Sequence, residues 1–169
     1  VVPTFTPVAA ICSGATLTAL PTTSTNGITG TWAPALSNTT TTTYTFTPTA
    51  GQCATTTTLT ITVNPNVVPT FNPVAAICSG ATAPVLPTTS TNGITGTWSP
   101  ATVSNTATAT YTFTPTAGQC ATTATLTVTV NPNVVPTFTP VAAICSGATL
   151  TALPTTSTNG ITGTWAPAL

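Results

Sequence analysis

The sequence has no charged side chains. None of its 169 residues is Asp, Glu, Lys, Arg or His, and the formal net charge is zero. An ordinary soluble domain carries roughly a quarter charged residues. The absence removes the general acids and bases that work near neutral pH, the cations that neutralise phosphate, and the carboxylate and imidazole ligands of metals. The composition therefore predicts a protein that is not an enzyme, holds no metal or cofactor and binds no nucleic acid.

Long hydrophobic runs are absent as well. No apolar run approaches the roughly 18 residues of a membrane span, and the N-terminus lacks the basic flank of a signal peptide. We therefore expect no direct membrane insertion, and we expect the chain to be a piece of a longer protein.

The residues that are present favour a folded β protein. The chain is 41% hydrophobic and contains 51 threonines, 17 prolines and 11 glycines. Uncharged, hydrophobic chains are unlike disordered ones, which combine low hydrophobicity with high net charge. Threonine, branched aliphatic and aromatic residues suit a pleated surface, whereas proline and glycine mark turns. The composition predicts an all-β fold with short strands and many turns.

The chain is built from a repeated segment. Residues 1–66 return as 67–133 with one inserted residue, and a third copy, 134–169, matches residues 1–36 without a change. We call these segments repeat 1, repeat 2 and repeat 3. Such close copies favour a tandem array in which each unit has the same mechanical role. We predict one domain for each of repeats 1 and 2 and a truncated domain for repeat 3.

Alternating residues predict the strands of each repeat. In 41–47, Tyr44 and Phe46 share one face and threonines occupy the other, and the segment 54–63 alternates in the same way. The turn between these segments predicts a hairpin. Further strands are expected at 2–8, 15–20 and 28–32, with a turn at 9–14.

Together these strands predict tandem small immunoglobulin-like antiparallel β-sandwich domains in a linear array. Consecutive repeats are joined only by the Asn-Pro-Asn linkers 64–66 and 131–133. Linkers this short, each with a proline, should be stiff, so neighbouring domains are expected to meet pole to pole.

Several motifs recur in the same order in repeats 1 and 2: Ile-Cys-Ser-Gly, Gly-Thr-Trp-x-Pro, Thr-Tyr-Thr-Phe-Thr-Pro, Gly-Gln-Cys and a final threonine-alternating strand. In this combination the chain resembles, over its whole length, the immunoglobulin-like repeats of very large surface proteins of gliding and environmental Bacteroidota. The resemblance implies an extracellular, cell-surface adhesin exported by the type IX secretion system, with the repeats forming its stalk. The complete lack of charge is extreme for such repeats.

Cysteines recur at two fixed places in the repeat, at Cys12, Cys53, Cys78, Cys120 and Cys145. This regularity favours structural disulfides and an oxidising compartment. A zinc site of four thiolates is the weaker interpretation because the chain has no Cys-x-x-Cys pair and no histidine. Buried free thiols are a further alternative.

Two disulfide arrangements are open. Pairing within a repeat would join Cys12 to Cys53 and Cys78 to Cys120. However, a seven-residue first strand of roughly 23 Å would separate such partners far beyond the Cα distance of about 4.4–6.8 Å that a disulfide allows. We therefore favour a bond between neighbours, Cys12 with Cys120, which leaves Cys53, Cys78 and Cys145 to pair with other domains.

The aromatic residues and the threonines suggest either a core or a ligand surface. We predict that the aromatic side chains anchor the thin cores, and the alternative is a platform that stacks on sugars: Trp32, Trp98, Trp165, Tyr44 and Tyr111. Rows of threonine also raise the possibility of an ice-binding face, although strand twist opposes the flatness that ice requires.

These observations predict a structural stalk or filament segment of a secreted bacterial surface adhesin that holds a distal adhesive region away from the cell. The expected partners are neighbouring repeats of the same chain, and identical chains are candidate lateral partners because zero net charge removes their mutual repulsion. The alternatives are a glycan- or ice-binding repeat module and a self-assembling extracellular filament or matrix protein.

Overall fold

The computed structural model describes residues 1–167, which contain strands, turns and extended segments but no helix. Repeats 1 and 2 contribute five strands each. In chain order the strands are β1 (Ile11–Cys12), β2 (Gly30–Ala33), β3 (Thr42–Pro48), β4 (Thr57–Ile61), β5 (Val63–Asn64), β6 (Ile77–Cys78), β7 (Gly96–Ser99), β8 (Ala109–Pro115), β9 (Ala124–Val128) and β10 (Val130–Asn131). The predicted all-β fold class is confirmed.

Each of these repeats contains an antiparallel three-stranded sheet and a short parallel pair. In repeat 1 the sheet order is β2-β3-β4, with Trp32 opposite Phe46 and Tyr44 opposite Leu59, and β1 pairs with β5 in parallel. Repeat 2 has the same arrangement in β7-β8-β9 and in β6 with β10. The first and last strands of each repeat therefore lie side by side.

Side-chain alternation buries one face of each three-stranded sheet. Tyr44 and Phe46 of β3 are fully buried, and Thr43, Thr45 and Thr47 between and beside them are exposed, because successive residues of a strand point to opposite faces. In repeat 2 the buried cluster comprises Leu86, Trp98, Val103, Tyr111, Phe113 and Val128. The β3–β4 hairpin predicted from this alternation is confirmed.

Glycine at the start of β2 lets the backbone lie directly against the aromatic core. A Cβ atom built at Gly30 would lie 2.6 Å from Cζ of Phe46 and would also collide with the carbonyl oxygen of Thr47. Gly96 of repeat 2 has the same relation to Phe113 and Thr114. These two positions leave no room for a side chain.

The N-terminal part of the repeat differs from the prediction. Residues 2–8 and 15–20 form no strand, and β1 lies within the segment predicted as a turn. Pro3 and Pro7 lack the N–H groups that a ladder needs. The predicted last strand, 54–63, is also divided at Thr62, between β4 and β5. The carbonyl oxygen of Thr62 accepts a hydrogen bond from Ile11 N at 3.0 Å, where the chain leaves the three-stranded sheet and begins to pair with β1.

Repeat 3, which the structure describes as far as residue 167, contains none of the strands β1 to β10. Its only β pairing is the bridge between Thr156 and Thr162, which repeats 1 and 2 also contain at the equivalent positions. The ring of Phe138 packs on Trp165 with centroids 4.6 Å apart, but Trp165 is 41% exposed.

Candidate functional site: the disulfide-bonded joint

A disulfide joins repeat 1 to repeat 2. Cys12 is bonded to Cys120 across a sequence separation of 108, with Cα atoms 4.9 Å apart. Both residues are half-buried. Of the two arrangements that the sequence left open, the structure contains the bond between neighbouring repeats and neither of the bonds within a repeat.

The strand topology of repeat 1 brings Cys12 to the linker. In the parallel pair of β1 and β5, Cys12 lies opposite Asn64, the first residue of the linker 64–66. Repeat 2 presents Cys120 on the other side, because Val67 forms a parallel bridge with Ala121. Pairing of the first and last segments in both repeats therefore places the two cysteines at one junction.

Hydrogen bonds fix the linker to repeat 1. Ser13 N donates to the carbonyl oxygen of Asn64 at 2.8 Å, and the side-chain amide of Asn66 donates to the carbonyl oxygen of Ser13 at 2.9 Å. Ser13 directly follows the bonded Cys12, so the covalent bond and these hydrogen bonds act on the same turn.

The linker is fixed to repeat 2 in a similar way. Val67 N donates to the carbonyl oxygen of Cys120 at 2.8 Å, and Thr122 N donates to the carbonyl oxygen of Val67 at 3.0 Å. Together, the disulfide and the hydrogen bonds on both sides close a small ring around residues 64–67. We call this ring, with Cys12, Ser13 and Cys120, the joint.

Two of the remaining cysteines, Cys78 and Cys53, occupy positions equivalent to Cys12 and Cys120. Cys78 lies opposite Asn131 in a parallel strand pair, as Cys12 lies opposite Asn64. The next residue, Ser79, donates its backbone N–H to the carbonyl oxygen of Asn131 at 2.8 Å. Cys53 is equivalent to Cys120, since its carbonyl oxygen accepts a hydrogen bond from the Val1 amine at 2.9 Å. Within the described part of the chain Cys53, Cys78 and Cys145 have no disulfide partner, and all three are exposed. The prediction of buried free thiols does not describe them.

A crevice of about 320 Å³ lies beside the disulfide. Asn66 from the linker and Gly118 and Gln119 from repeat 2 contribute to its walls. Small solutes, including reductants, can therefore approach the bond from this side.

The predicted core anchors differ in their burial. Tyr44 and Tyr111 are buried completely, Trp98 is buried and Trp32 is half-buried, whereas Trp165 is exposed. Trp32 packs against Phe5 and Phe46 with ring centroids 4.7 and 5.1 Å away. Each indole N–H donates to a proline carbonyl oxygen of its own repeat, at Pro21, Pro87 and Pro154. Each tryptophan is therefore held by contacts within its own repeat.

The tyrosine hydroxyls have internal partners despite their burial. The hydroxyl of Tyr44 accepts a hydrogen bond from Ser37 N at 2.9 Å, and that of Tyr111 accepts one from Ser104 N at 2.7 Å. No buried side-chain nitrogen or oxygen in residues 1–167 lacks a hydrogen-bond partner. The tyrosines thus connect each core to the loop before β3 or β8.

The solvent face of each three-stranded sheet is covered with threonine. Thr43 and Thr60 lie opposite each other on β3 and β4, and their hydroxyl oxygens are 2.8 Å apart. Thr110 and Thr127 repeat this contact in repeat 2 at 2.9 Å. Threonine hydroxyls on this face therefore bond partly to one another.

An apolar groove also runs beside the tryptophan of each complete repeat. Its volume is about 520 Å³ beside Trp98 and about 260 Å³ beside Trp32. The larger groove includes Pro84, Val85 and Val103, and Val85 is 94% exposed. It has no charged group to orient a ligand, because the chain contains none.

Sequence reasoning missed the asparagine and serine contacts of the joint. The sequence predicts stiff linkers only from their short length and their proline. In the structure the linker asparagines also donate side-chain hydrogen bonds to the serine that follows the cysteine: Asn66 to the carbonyl oxygen of Ser13, and Asn133 to that of Ser79. The one sequence feature that could have indicated these contacts is that both linkers have the same sequence, Asn-Pro-Asn.

Within residues 1–167 no three cysteines come together in a group that could hold a metal ion. The same residues include no helix with the length and apolar character needed to cross a membrane. No family model matches the chain, and no curated protein matches it.

Proposed function

We propose that this chain is a segment of a rigid extracellular stalk, made of tandem immunoglobulin-like β-sandwich domains that are bonded covalently to their neighbours. The observation that carries this proposal is the disulfide between Cys12 and Cys120, which spans the linker between two repeats. A disulfide within each domain would stabilise that domain alone, whereas a bond across a linker restrains how two domains move relative to each other.

The joint supports stiffness because it restrains the linker at several points. A flexible hinge needs backbone groups that are free to rotate, but Asn64, Asn66 and Val67 are all hydrogen-bonded at the junction. Pro65 removes further freedom by fixing its own φ angle. A reorientation of the repeats would have to break these hydrogen bonds and strain the disulfide together.

Two features support the immunoglobulin-like assignment. The hydroxyl of Tyr44 bonds to the backbone of Ser37, seven residues upstream, in an arrangement that resembles the tyrosine corner of immunoglobulin-like sandwiches. The buried aromatic face of β3 against a threonine-covered outer face is typical of a sandwich strand.

The proposed setting is the surface of a bacterial cell, on a secreted adhesin of the kind that the repeat motifs resemble. Disulfides persist in oxidising compartments, which favours an extracellular location. The stalk needs no ligand for this role, and its partners would be the neighbouring repeats.

A glycan-binding role has less support. Stacking on a sugar requires an open aromatic face. Trp98 is buried, and Trp32 is half-buried against Phe5 and Phe46. In repeat 3 the aromatic pair Phe138 and Trp165 is exposed, but the two rings pack on each other with centroids 4.6 Å apart.

Small-angle X-ray scattering of the whole chain tests the stalk proposal. The exposed thiols are first alkylated, and scattering is recorded with and without a phosphine reductant. We expect one elongated particle when the protein is oxidised and a broader distribution of distances after reduction. The Cys53→Ser variant, which keeps the joint, should behave as the wild type in both states. Equal flexibility of the oxidised and reduced proteins would contradict the proposal.

A further inference from the structure

We infer that the disulfide of the joint is a mechanical bypass, which carries tension from repeat 1 directly to repeat 2 and keeps most of both domain cores out of the loaded path. The inference deepens the proposed stalk function and rests on it, since a stalk is loaded along its length. It follows from the positions in the sequence of the two cysteines that the bond joins.

The disulfide divides the chain into a loaded and an unloaded part. When the two ends are pulled apart, tension runs from the N-terminus to Cys12, crosses the bond to Cys120 and continues toward the C-terminus. Residues 13–119 form a closed loop between these points. A loop closed by a covalent bond cannot lengthen the molecule, whether or not it is folded.

The closed loop holds most of both cores. It contains β2 to β5 of repeat 1 and β6 to β8 of repeat 2. The fully buried aromatic residues Tyr44, Phe46, Tyr111 and Phe113 all lie inside it. Only residues before Cys12 and after Cys120, including β9 and β10, remain in the loaded path.

A bond within a repeat would have kept less of the chain out of the loaded path. A Cys12–Cys53 bond would have enclosed most of repeat 1 but would have left the linker and the first strand of repeat 2 under tension. The observed bond instead encloses the linker 64–66 and its hydrogen bonds to Ser13. The linker is thereby kept out of the loaded path, because the covalent path of tension includes neither Asn64 nor Asn66.

Single-molecule force spectroscopy of the whole chain tests this inference. The molecule is held through peptide tags at its two ends, so that no cysteine is needed for attachment. Cys53, Cys78 and Cys145 are alkylated beforehand to prevent thiol exchange. The chain is then stretched to full extension with and without a phosphine reductant, and the total contour length is measured.

We expect reduction to add about 360–390 Å of contour length, because the sequence separation of 108 between the bonded cysteines is released at about 3.3–3.6 Å per residue. The oxidised chain should show no unfolding step of that size. If it already extends to the length of the reduced chain, the inference is overturned.

Two variants make the test independent of folding. Cys12→Ser should reach the longer contour length without reductant, and Cys53→Ser should keep the shorter one. Contour length at full extension depends on covalent connection and not on native structure, so a variant that folds poorly still gives a decisive value. A Cys12→Ser chain as short as the wild type would contradict the bypass.

Failure of the bypass and failure of the stalk are distinguishable. A chain that is flexible in scattering but limited in length by the bond would contradict the stalk and leave the bypass intact. A chain that is rigid in scattering but extends equally with and without reductant would contradict the bypass alone.

Discussion

Cys53 and Cys120 share the same left-handed backbone conformation, with φ angles of 49° and 45°, although only Cys120 is bonded. A residue with a side chain in this region costs roughly 1–2 kcal/mol. The turn before each cysteine contains a glycine with positive φ, Gly51 or Gly118. The local turn therefore sets the cysteine conformation without help from the disulfide, and Cys120 is preorganised for its bond.

The contact between Gly30 and Phe46 gives the sharpest packing prediction. A Gly30→Ala change should lower the free energy of unfolding of repeat 1 by about 1–3 kcal/mol, the usual cost of overpacking, because its Cβ would collide with Phe46 and the Thr47 carbonyl. Urea denaturation followed by tryptophan fluorescence measures the loss.

Gly163→Ala is the matched control for this change. Gly163 occupies the equivalent position in repeat 3, where a Cβ would meet no atom within 4 Å. We expect no loss of stability at this site. Equal effects of the two substitutions would show that the close approach in β2 is not the cause.

The buried hydroxyl of Tyr44 provides a second prediction. Tyr44→Phe retains the ring but removes the acceptor for Ser37 N, and an unsatisfied donor of this kind costs about 1–3 kcal/mol. Thr43→Val removes an exposed hydroxyl one residue away, and we expect a change below about 0.5 kcal/mol. Chemical denaturation compares the two, and a larger loss for Thr43→Val would contradict the assignment.

The strands with the strongest local pattern were predictable from sequence. The alternation around Tyr44 and Phe46 identified β3 and its hairpin, because period two is a property of neighbouring residues. The sequence predicts an extended edge strand at 2–8, but no strand forms there, and Pro3 and Pro7 leave the segment short of ladder donors. The parallel pairing of β1 with β5 joins residues far apart in the chain, so no local pattern could indicate it.

The joint was predictable only in its covalent part. The length of the first strand expected at 2–8 favoured Cys12 with Cys120, and that bond is present although residues 2–8 form no strand. The hydrogen bonds of Asn66 to Ser13 and of Val67 to Cys120 depend on the tertiary arrangement of both repeats. Composition and spacing carry no information on such contacts.

The disulfide should couple the unfolding of the two repeats. Replacing both Cys12 and Cys120 by Ser should lower the free energy of unfolding by about 2–5 kcal/mol and separate the transitions of repeats 1 and 2, because the closed loop of the unfolded chain is lost. Calorimetry measures both effects. Cys53→Ser, which breaks no bond, should retain the wild-type profile, and uncoupling by this control would argue against the joint.

The absence of charge predicts an unusual insensitivity to pH and salt. With no Asp, Glu or His, the folded and unfolded chains bind the same number of protons between about pH 4 and 7, and the slope of stability against pH is zero. Added salt has no side-chain ion pairs to screen. The melting temperature of the alkylated protein should stay constant across this range. A change above about 4 °C, roughly 1 kcal/mol, would contradict this account.

The most direct test of the account is a disulfide map of the folded 169-residue chain. The chain has no lysine or arginine for trypsin to cut after, so the alkylated, non-reduced protein is digested with chymotrypsin or pepsin and analysed by mass spectrometry. We predict a linked pair of peptides containing Cys12 and Cys120, with alkyl groups on Cys53, Cys78 and Cys145. Linkage of Cys12 to Cys53, or of Cys78 to Cys120, would contradict a covalent joint between neighbouring repeats.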